Sequence, residues 1–443
     1  MKINTSGLLV LFFGIQISFF ILYLNSNIVN VGEMGTALPL LIGYVVFSLI
    51  LILAIWIKKN IHLRIHFIIF SFLIVWTSVR VTIDLGDMEY LKQITIATTG
   101  GMLLFYFLGA FLSITYQSSL VNNYNGGIAQ FVLTVFFILQ IWTLYNFSHR
   151  LHPHLFYLLN IDGSYQRAGD FLSISFIIFS YFYLAYIFTR IGRMVSKIAV
   201  VFWMFTYTVS TLMALVSSQL FGSNSATAVI IGVYLITFVM ALIIPKKAML
   251  LSYLRQQLVL PWRKQLIKQF GLMAIFVGGG SILLVVAIIS ATNFDITSLR
   301  LLGFGTGTNS SLSSRVEILL ETGVNQLGYA PILGNMNVAY ITTGDSGLTL
   351  HSFFPYVMAN LGLVGLTLVL MIFTSIIFQL YYEARRGKYT GFISYKLNMV
   401  ALYSMFIFIY ILFFANIATG VSWSVLWFTL GFISKPFYFS ERV

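Results

Sequence analysis

Cysteine is absent from the 443-residue chain, which removes disulfides, thiolate metal sites, iron–sulfur clusters and cysteine nucleophiles together. Charge is scarce as well. Asp, Glu, Lys and Arg make up 8% of the residues, against about 25% in a soluble domain, and no water-facing surface can be assembled from so few. The middles of the apolar runs are nearly empty of ionisable groups. Ion-coupled transporters keep such groups inside their spans for use, so this scarcity argues against a proton- or sodium-driven pump and leaves open a lipid flippase with a polar cavity.

Apolar residues take the place of the missing charge, at 59% of the chain, with 42 Phe and 25 Tyr, a usage that suits lipid-facing helices with aromatic girdles. A span needs roughly 17–25 apolar residues to cross about 30 Å of hydrocarbon. Runs of that kind lie near 7–24, 38–57, 63–79, 94–115, 128–147, 171–189, 198–217, 226–244, 271–291, 352–379, 396–415 and 419–434. They predict an all-α, polytopic membrane protein of about twelve transmembrane helices, forming a single integral-membrane domain over 1–443. The run from Leu8 to Leu24 is followed by no A-x-A-like cleavage site and reads as an uncleaved first span.

Orientation follows from Lys and Arg, which favour cytoplasmic loops. One set of alternating loops holds most of the 25 basic residues, including Lys246, Lys247, Arg255, Arg263, Lys264 and Lys268 in a basic loop at 245–270. The other set holds only Arg80, Lys92, Arg150, Arg167, Arg300 and Arg315 among most of the acids. Both termini are therefore expected on the cytoplasmic side, and the net charge of +13 is accounted for by topology, without a nucleic-acid partner.

The loop over 292–351 is expected outside the cytoplasm. Within SRVEILLETGVNQLG, Val316, Leu319, Leu320 and Leu327 share one helical face, and Glu317, Glu321 and Asn325 share another. This predicts a short amphipathic helix on the outer membrane surface. Tyr329, Pro331 and Gly334 in YAPILG then predict a turn before the next span.

Few residues are placed to do chemistry. His351 stands at interface depth between this loop and the tenth predicted span, where an imidazole serves either as a general base for a sugar hydroxyl or as an interfacial side chain bonded to a backbone carbonyl. Arg315 opens the amphipathic helix, and Arg167 stands in IDGSYQRAGDF before the sixth span. Two guanidinium forks facing one cavity would suit a pyrophosphate; snorkelling, or pairing with Glu317 or Asp170, is the competing reading. His149, His152 and His154 in SHRLHPH lack helical spacing across Pro153 and have no carboxylate or thiolate near them in sequence, so no metal and no other cofactor is predicted. The stretch GFGTGTNSSLSSR follows a span rather than a strand and lacks a G-K-[ST] ending, so it reads as a linker and not a phosphate loop.

Four local patterns, QRAGDF at 166–171, SRVEILLETG with PILGN inside 314–335, LHSFFPYV at 350–357 and NLGLVGL at 360–366, resemble in order and spacing those of the bacterial O-antigen polymerase and O-antigen ligase superfamily. The resemblance covers about 150–380. It implies an inner-membrane glycosyltransferase that uses undecaprenyl-pyrophosphate-linked oligosaccharide, with His351 as base and Arg315 and Arg167 on the pyrophosphate. Where family members often carry an Arg in the short outer loop before the basic loop, SSQLFGSNSATAV has Asn224; Arg167 is the residue expected to supply that charge. Glu317, Glu321 and Asn224 complete the expected substrate-binding set. The resemblance also implies a polysaccharide chain-length regulator as a partner beside the lipid bilayer. Polymerase is the expected activity, with ligase and lipid-linked oligosaccharide flippase as alternatives.

Overall fold

A computed structural model of the chain describes residues 5–29, 37–57, 59–85, 99–121, 125–150, 164–190, 197–220, 223–253, 317–345, 348–385, 392–418 and 423–441. The elements in order are α1 (Thr5–Val29), α2 (Leu38–Trp56), β1 (Lys59–Leu63), α3 (Ile65–Leu85), α4 (Gly101–Val121), α5 (Asn125–Arg150), α6 (Ser164–Arg190), α7 (Lys197–Leu220), α8 (Asn224–Tyr253), α9 (Gly323–Tyr329), α10 (Val338–Thr343), α11 (Phe353–Arg385), α12 (Phe392–Ala418), α13 (Ser424–Ser434) and β2 (Phe437–Glu441). Among the described residues, 7 helices are long and apolar enough to cross a membrane, and the chain is a largely all-α, multi-pass membrane protein. The predicted spans near 7–24, 38–57, 63–79, 171–189, 226–244, 352–379 and 396–415 fall on these helices; those near 94–115, 128–147 and 419–434 fall on shorter apolar helices, that near 198–217 falls on α7, and that near 271–291 lies outside the described residues.

The chain divides into two compact units. In the first, α1, α5, α7 and α8 pack around α6. The reason lies in the composition of α6. Apolar residues surround it on all sides, so it has no face to give to solvent, and 94% of an 18-residue stretch within Ala168–Phe188 is buried. Its core is aromatic. Phe179 stacks on Phe136 at 4.0 Å between ring centroids, and Tyr183 stacks on Tyr207 at 4.0 Å, contacts worth about 0.5–1.5 kcal/mol each beyond burial. The polar tips among these rings are matched: the Ser180 and Tyr207 hydroxyls lie 2.9 Å apart. Short polar bonds also join helices here, from Gln16 Nε2 to Ser48 Oγ at 2.6 Å and from Thr143 Oγ1 to Asn25 Oδ1 at 3.1 Å. Such bonds substitute for a hydrophobic drive that lipid does not supply.

The second unit is built on α3 against α11, with α13 wholly buried. Where α4 crosses α13, a side chain at Gly109 would begin 2.1 Å from the Phe428 carbonyl, and one at Gly431 would begin 1.8 Å from that of Tyr106. Only paired glycines permit backbones that close. Beyond α13, β2 pairs antiparallel with β1, Lys59 opposite Glu441 and Leu63 opposite Phe437. Sequence reading placed both segments in loops. FYFSE has the β-branched or aromatic character of a strand only in part, and its partner lies at the far end of the chain.

At this end of α3 and α11, one carboxylate gathers two cations. Glu383 Oε1 accepts from Arg64 Nη2 and from Gln379 Nε2, each at 3.1 Å, and Glu383 Oε2 accepts from Lys435 Nζ at 2.6 Å. Glu383 is 23% exposed and Lys435 9%, so water screens this cluster only in part. Glu383→Gln should lower the stability of the detergent-solubilised protein by about 1–3 kcal/mol, seen as a lower thermal midpoint. Arg64→Gln added to it should cost less than the two single changes summed.

Candidate functional site

The second unit carries a capped assembly around the turn that YAPILG predicts. It starts from a break in α11. Gly362 has φ 67 and ψ −169, which frees carbonyls on one side of it and amides on the other. Backbone groups freed inside a helix of membrane-spanning composition need protein partners. The turn supplies them. Leu363 N donates to Pro331 O at 2.9 Å and Val364 N to Ile332 O at 3.3 Å, while Asn335 N donates to Ala359 O at 3.1 Å. The fit depends on a second glycine, Gly334, with φ 73. A side chain on Gly334 would begin 2.4 Å from Gly362 N, and one on Gly362 would begin 2.3 Å from Ile332 O. PILGN and NLGLVGL, two of the patterns singled out in the sequence, are thus two halves of one joint.

A stripe of three side chains spaced by four along α3 holds this joint. Trp76 Nε1 donates to Leu361 O at 2.9 Å. Arg80 Nη2 donates to Gly334 O at 2.8 Å and pairs with Asp84 Oδ1. Asp84 Oδ2 accepts from Met336 N at 2.8 Å. The Arg80 and Asp84 side chains are 10% and 3% exposed, so each ion depends on the other and on the turn for its solvation. The predicted span ends at 79, with Arg80 in an outer loop. The helix instead runs to Leu85 and both ions lie on it. The legible signal was the spacing of Trp76, Arg80 and Asp84 on one helical face.

The joint supports the segment that carries His351. Val338, Leu350 and Ala359 form a buried cluster with Ile318, Leu319 and Leu327 packed on it. Gln326, itself buried, donates from Nε2 to Leu348 O at 2.7 Å and so straps α9 to the stretch leading into His351. On the other side, Asn416 Oδ1 accepts from Phe354 N at 3.0 Å, which satisfies a free amide at the start of α11. His351 lies half-buried between buried Leu350 and buried Phe353. Two buried polar atoms of the assembly, Arg80 Nε and Gln326 Oε1, have no hydrogen-bond partner among the described residues.

The predicted amphipathic face is divided. Leu319 and Leu327 turn to protein, whereas Leu320 is 73% exposed, and Val324, 75% exposed, joins it. The helical stretch is interrupted at Thr322 before α9. Glu317 and Glu321 are exposed. Arg315 lies outside the described residues, as do the GFGTGTNSSLSSR stretch, His152, His154 and the side chain of His149.

Arg167 and Asn224 belong to the first unit, and His351 belongs to the second. Both sit at helix starts that touch. A side chain on Gly169 of α6 would begin 2.3 Å from Ser223 Oγ and 3.3 Å from Ala226 Cβ. Ser223 Oγ caps α8 by accepting from Ala226 N at 3.3 Å. Arg167 therefore stands two residues from this contact and exposed Asn224 one residue from it. Here again a glycine of a singled-out pattern, QRAGDF, marks a close approach.

No known family's sequence profile matches this chain, and no curated protein matches it.

Two glycines of the second unit separate conformational cost from steric cost. Gly344 has φ 75 with nothing within 4 Å of an added side chain, whereas Gly362 has φ 67 and meets backbone at 2.3 Å. Gly344→Ala should cost about 1–2 kcal/mol, the left-handed penalty alone. Gly362→Ala should cost well beyond that, since backbone must move as well, with the thermal midpoint of each purified variant as the readout.

Proposed function

We propose that this chain is an O-antigen or related surface-polysaccharide polymerase, a glycosyltransferase of a bacterial inner membrane that works at the outer face. In this reading the chain crosses the bilayer about twelve times, with both termini cytoplasmic. The loop over 292–351 lies outside, and exposed Leu320 and Val324 rest the amphipathic segment on the outer leaflet.

The observation that supports the reading is that two of the patterns that resemble the superfamily's, PILGN and NLGLVGL, meet one another in space. PILGN closes on NLGLVGL through Gly334 and Gly362, and QRAGDF closes on Ser223 beside Asn224.

The reaction joins two undecaprenyl-pyrophosphate-linked oligosaccharides. A hydroxyl oxygen of the incoming unit bonds to the anomeric carbon of the growing glycan as the bond from that carbon to the pyrophosphate oxygen breaks. The hydroxyl proton passes to His351, and undecaprenyl pyrophosphate departs with the electron pair. Arg315 holds the pyrophosphate as its charge grows, which favours the transition state over the bound substrate, and Arg167 is the second charge that the resemblance implies. Glu317, Glu321 and Asn224 bind glycan hydroxyls. Direct displacement inverts the anomeric centre. The donor brings its own leaving group, so no nucleotide sugar is required. A chain-length regulator would act on this chain from outside the reaction.

His351→Ala should abolish long polymer in a deletion strain while the protein stays in the membrane, with surface glycans resolved as a ladder on a gel. Loss of the chain should leave lipopolysaccharide with a single repeat. Unligated lipid-linked polymer in that strain would assign a ligase, and substrate trapped in the cytoplasmic leaflet with no dependence on His351 would assign a flippase.

A further inference from the structure

The stretch that carries His351 has no regular structure of its own. Between Gly344, which closes α10, and Phe353, which opens α11, residues 348–352 form neither helix nor strand. Backbone outside regular structure must find its partners one group at a time. Two side-chain amides serve this stretch, from different elements of the second unit. Gln326 of α9 donates from Nε2 to Leu348 O at 2.7 Å, and Asn416 of α12 accepts at Oδ1 from Phe354 N at 3.0 Å. His351 lies midway, three residues from each anchor.

Each anchor is itself held. Gln326 Nε2 also donates to Thr322 Oγ1 at 3.1 Å, and Thr322 Oγ1 donates in turn to Ile318 O at 2.8 Å. Gln326 is 1% exposed, a place where an apolar side chain would pack without the cost of burying an amide. Asn416 Nδ2 donates to Leu412 O within its own helix at 2.9 Å, which turns Oδ1 towards Phe354. Next to His351 the apolar side chains are packed as well. Leu350 belongs to the buried cluster with Val338 and Ala359, and the buried ring of Phe353 stacks on Phe373 at 5.8 Å. Bonds on both sides and packed neighbours together set the point from which the half-buried imidazole projects.

We infer that Gln326 and Asn416 are positioning residues for His351, which together place its imidazole against the glycan hydroxyl whose proton it takes. The inference rests on the reading of His351 as the base. A base must come within about 2.6–3.2 Å of the group it deprotonates, and a misplacement of about 1 Å can cost roughly 100-fold in rate. An irregular stretch meets that tolerance only when residues around it lock it in place. Gln326 takes the carbonyl before His351 and Asn416 the amide after it, so the loss of either frees one side of the stretch.

The test uses the purified full chain in lipid nanodiscs and follows exchange of the imidazole C2 hydrogen for deuterium by mass spectrometry over a pH series, a readout of each histidine that needs no activity assay. Gln326→Leu and Asn416→Leu should each move the pH profile of His351 towards that of an imidazole in open chain, while the profile of His62 on β1 stays as in the wild type. Polymer formation should fall by roughly 100-fold in each variant. A His351 profile unchanged in both variants overturns the inference. Open-chain exchange of the Phe354 amide in the wild type also overturns it, and this measurement decides the matter whether or not the variants fold. The two readings fail in different ways. Loss of polymer in His351→Ala, with wild-type profiles in both Leu variants, removes the positioning role and keeps the base. Moved profiles with polymer made at the wild-type rate remove His351 as base, and the inference with it.

Discussion

A helix that breaks inside a membrane protein must find new partners for the backbone groups it releases, because lipid offers none. The second unit is organised around that requirement. Gly362 opens α11, the turn at Pro331–Asn335 closes over the opening, and three side chains of α3 lock the turn in place. Each partner is needed by another. The carbonyl of Leu361 receives Trp76, and the turn's own carbonyl at Gly334 receives Arg80. Arg80 would be a costly buried charge without Asp84, and Asp84 in turn holds the amide of Met336. The segment leading to His351 is then fastened to this base through Gln326 and the cluster of Val338, Leu350 and Ala359.

The same two helices are tied at their other ends by a different arrangement. There Glu383 of α11 meets Arg64 just before α3 and Lys435 just after α13. One end is joined by a buried ion pair acting on backbone, the other by side chains in partial contact with water. With α3 and α11 held at both ends, the break at Gly362 is closed on both of its sides by bonds within the second unit.

How much of this could be read from the sequence differs by scale. Seven of the predicted span positions were legible because twenty-residue apolar runs have one interpretation in a chain with so little charge. The turn at Pro331 and Gly334 was legible from its breakers, but its partner at Gly362 was not, since a lone glycine in a long apolar run carries no mark of positive φ. Arg80 and Asp84 were misplaced because a charge beside an apolar run reads as the end of a span. Here the charges extend the helix, each neutralising the other. The face of the amphipathic segment was read only halfway: periodicity groups Leu319 with Leu320, yet only contacts with Val338 and Leu350 decide that Leu319 turns inward and Leu320 outward. The strands β1 and β2 were invisible because each is stable only against the other, from opposite ends of the chain.

The dependence of the turn on the Arg80–Asp84 pair is open to direct measurement by hydrogen–deuterium exchange of the protein in lipid nanodiscs, comparing wild type with Asp84→Ala. In the wild type the amides of Asn335, Met336 and Leu363, bonded to Ala359 O, Asp84 Oδ2 and Pro331 O, should exchange slowly. In the variant they should approach open-chain rates while the interiors of α3 and α11 stay protected. Equal protection of these amides in both proteins would contradict the account, because the turn would then be held by something other than the buried pair.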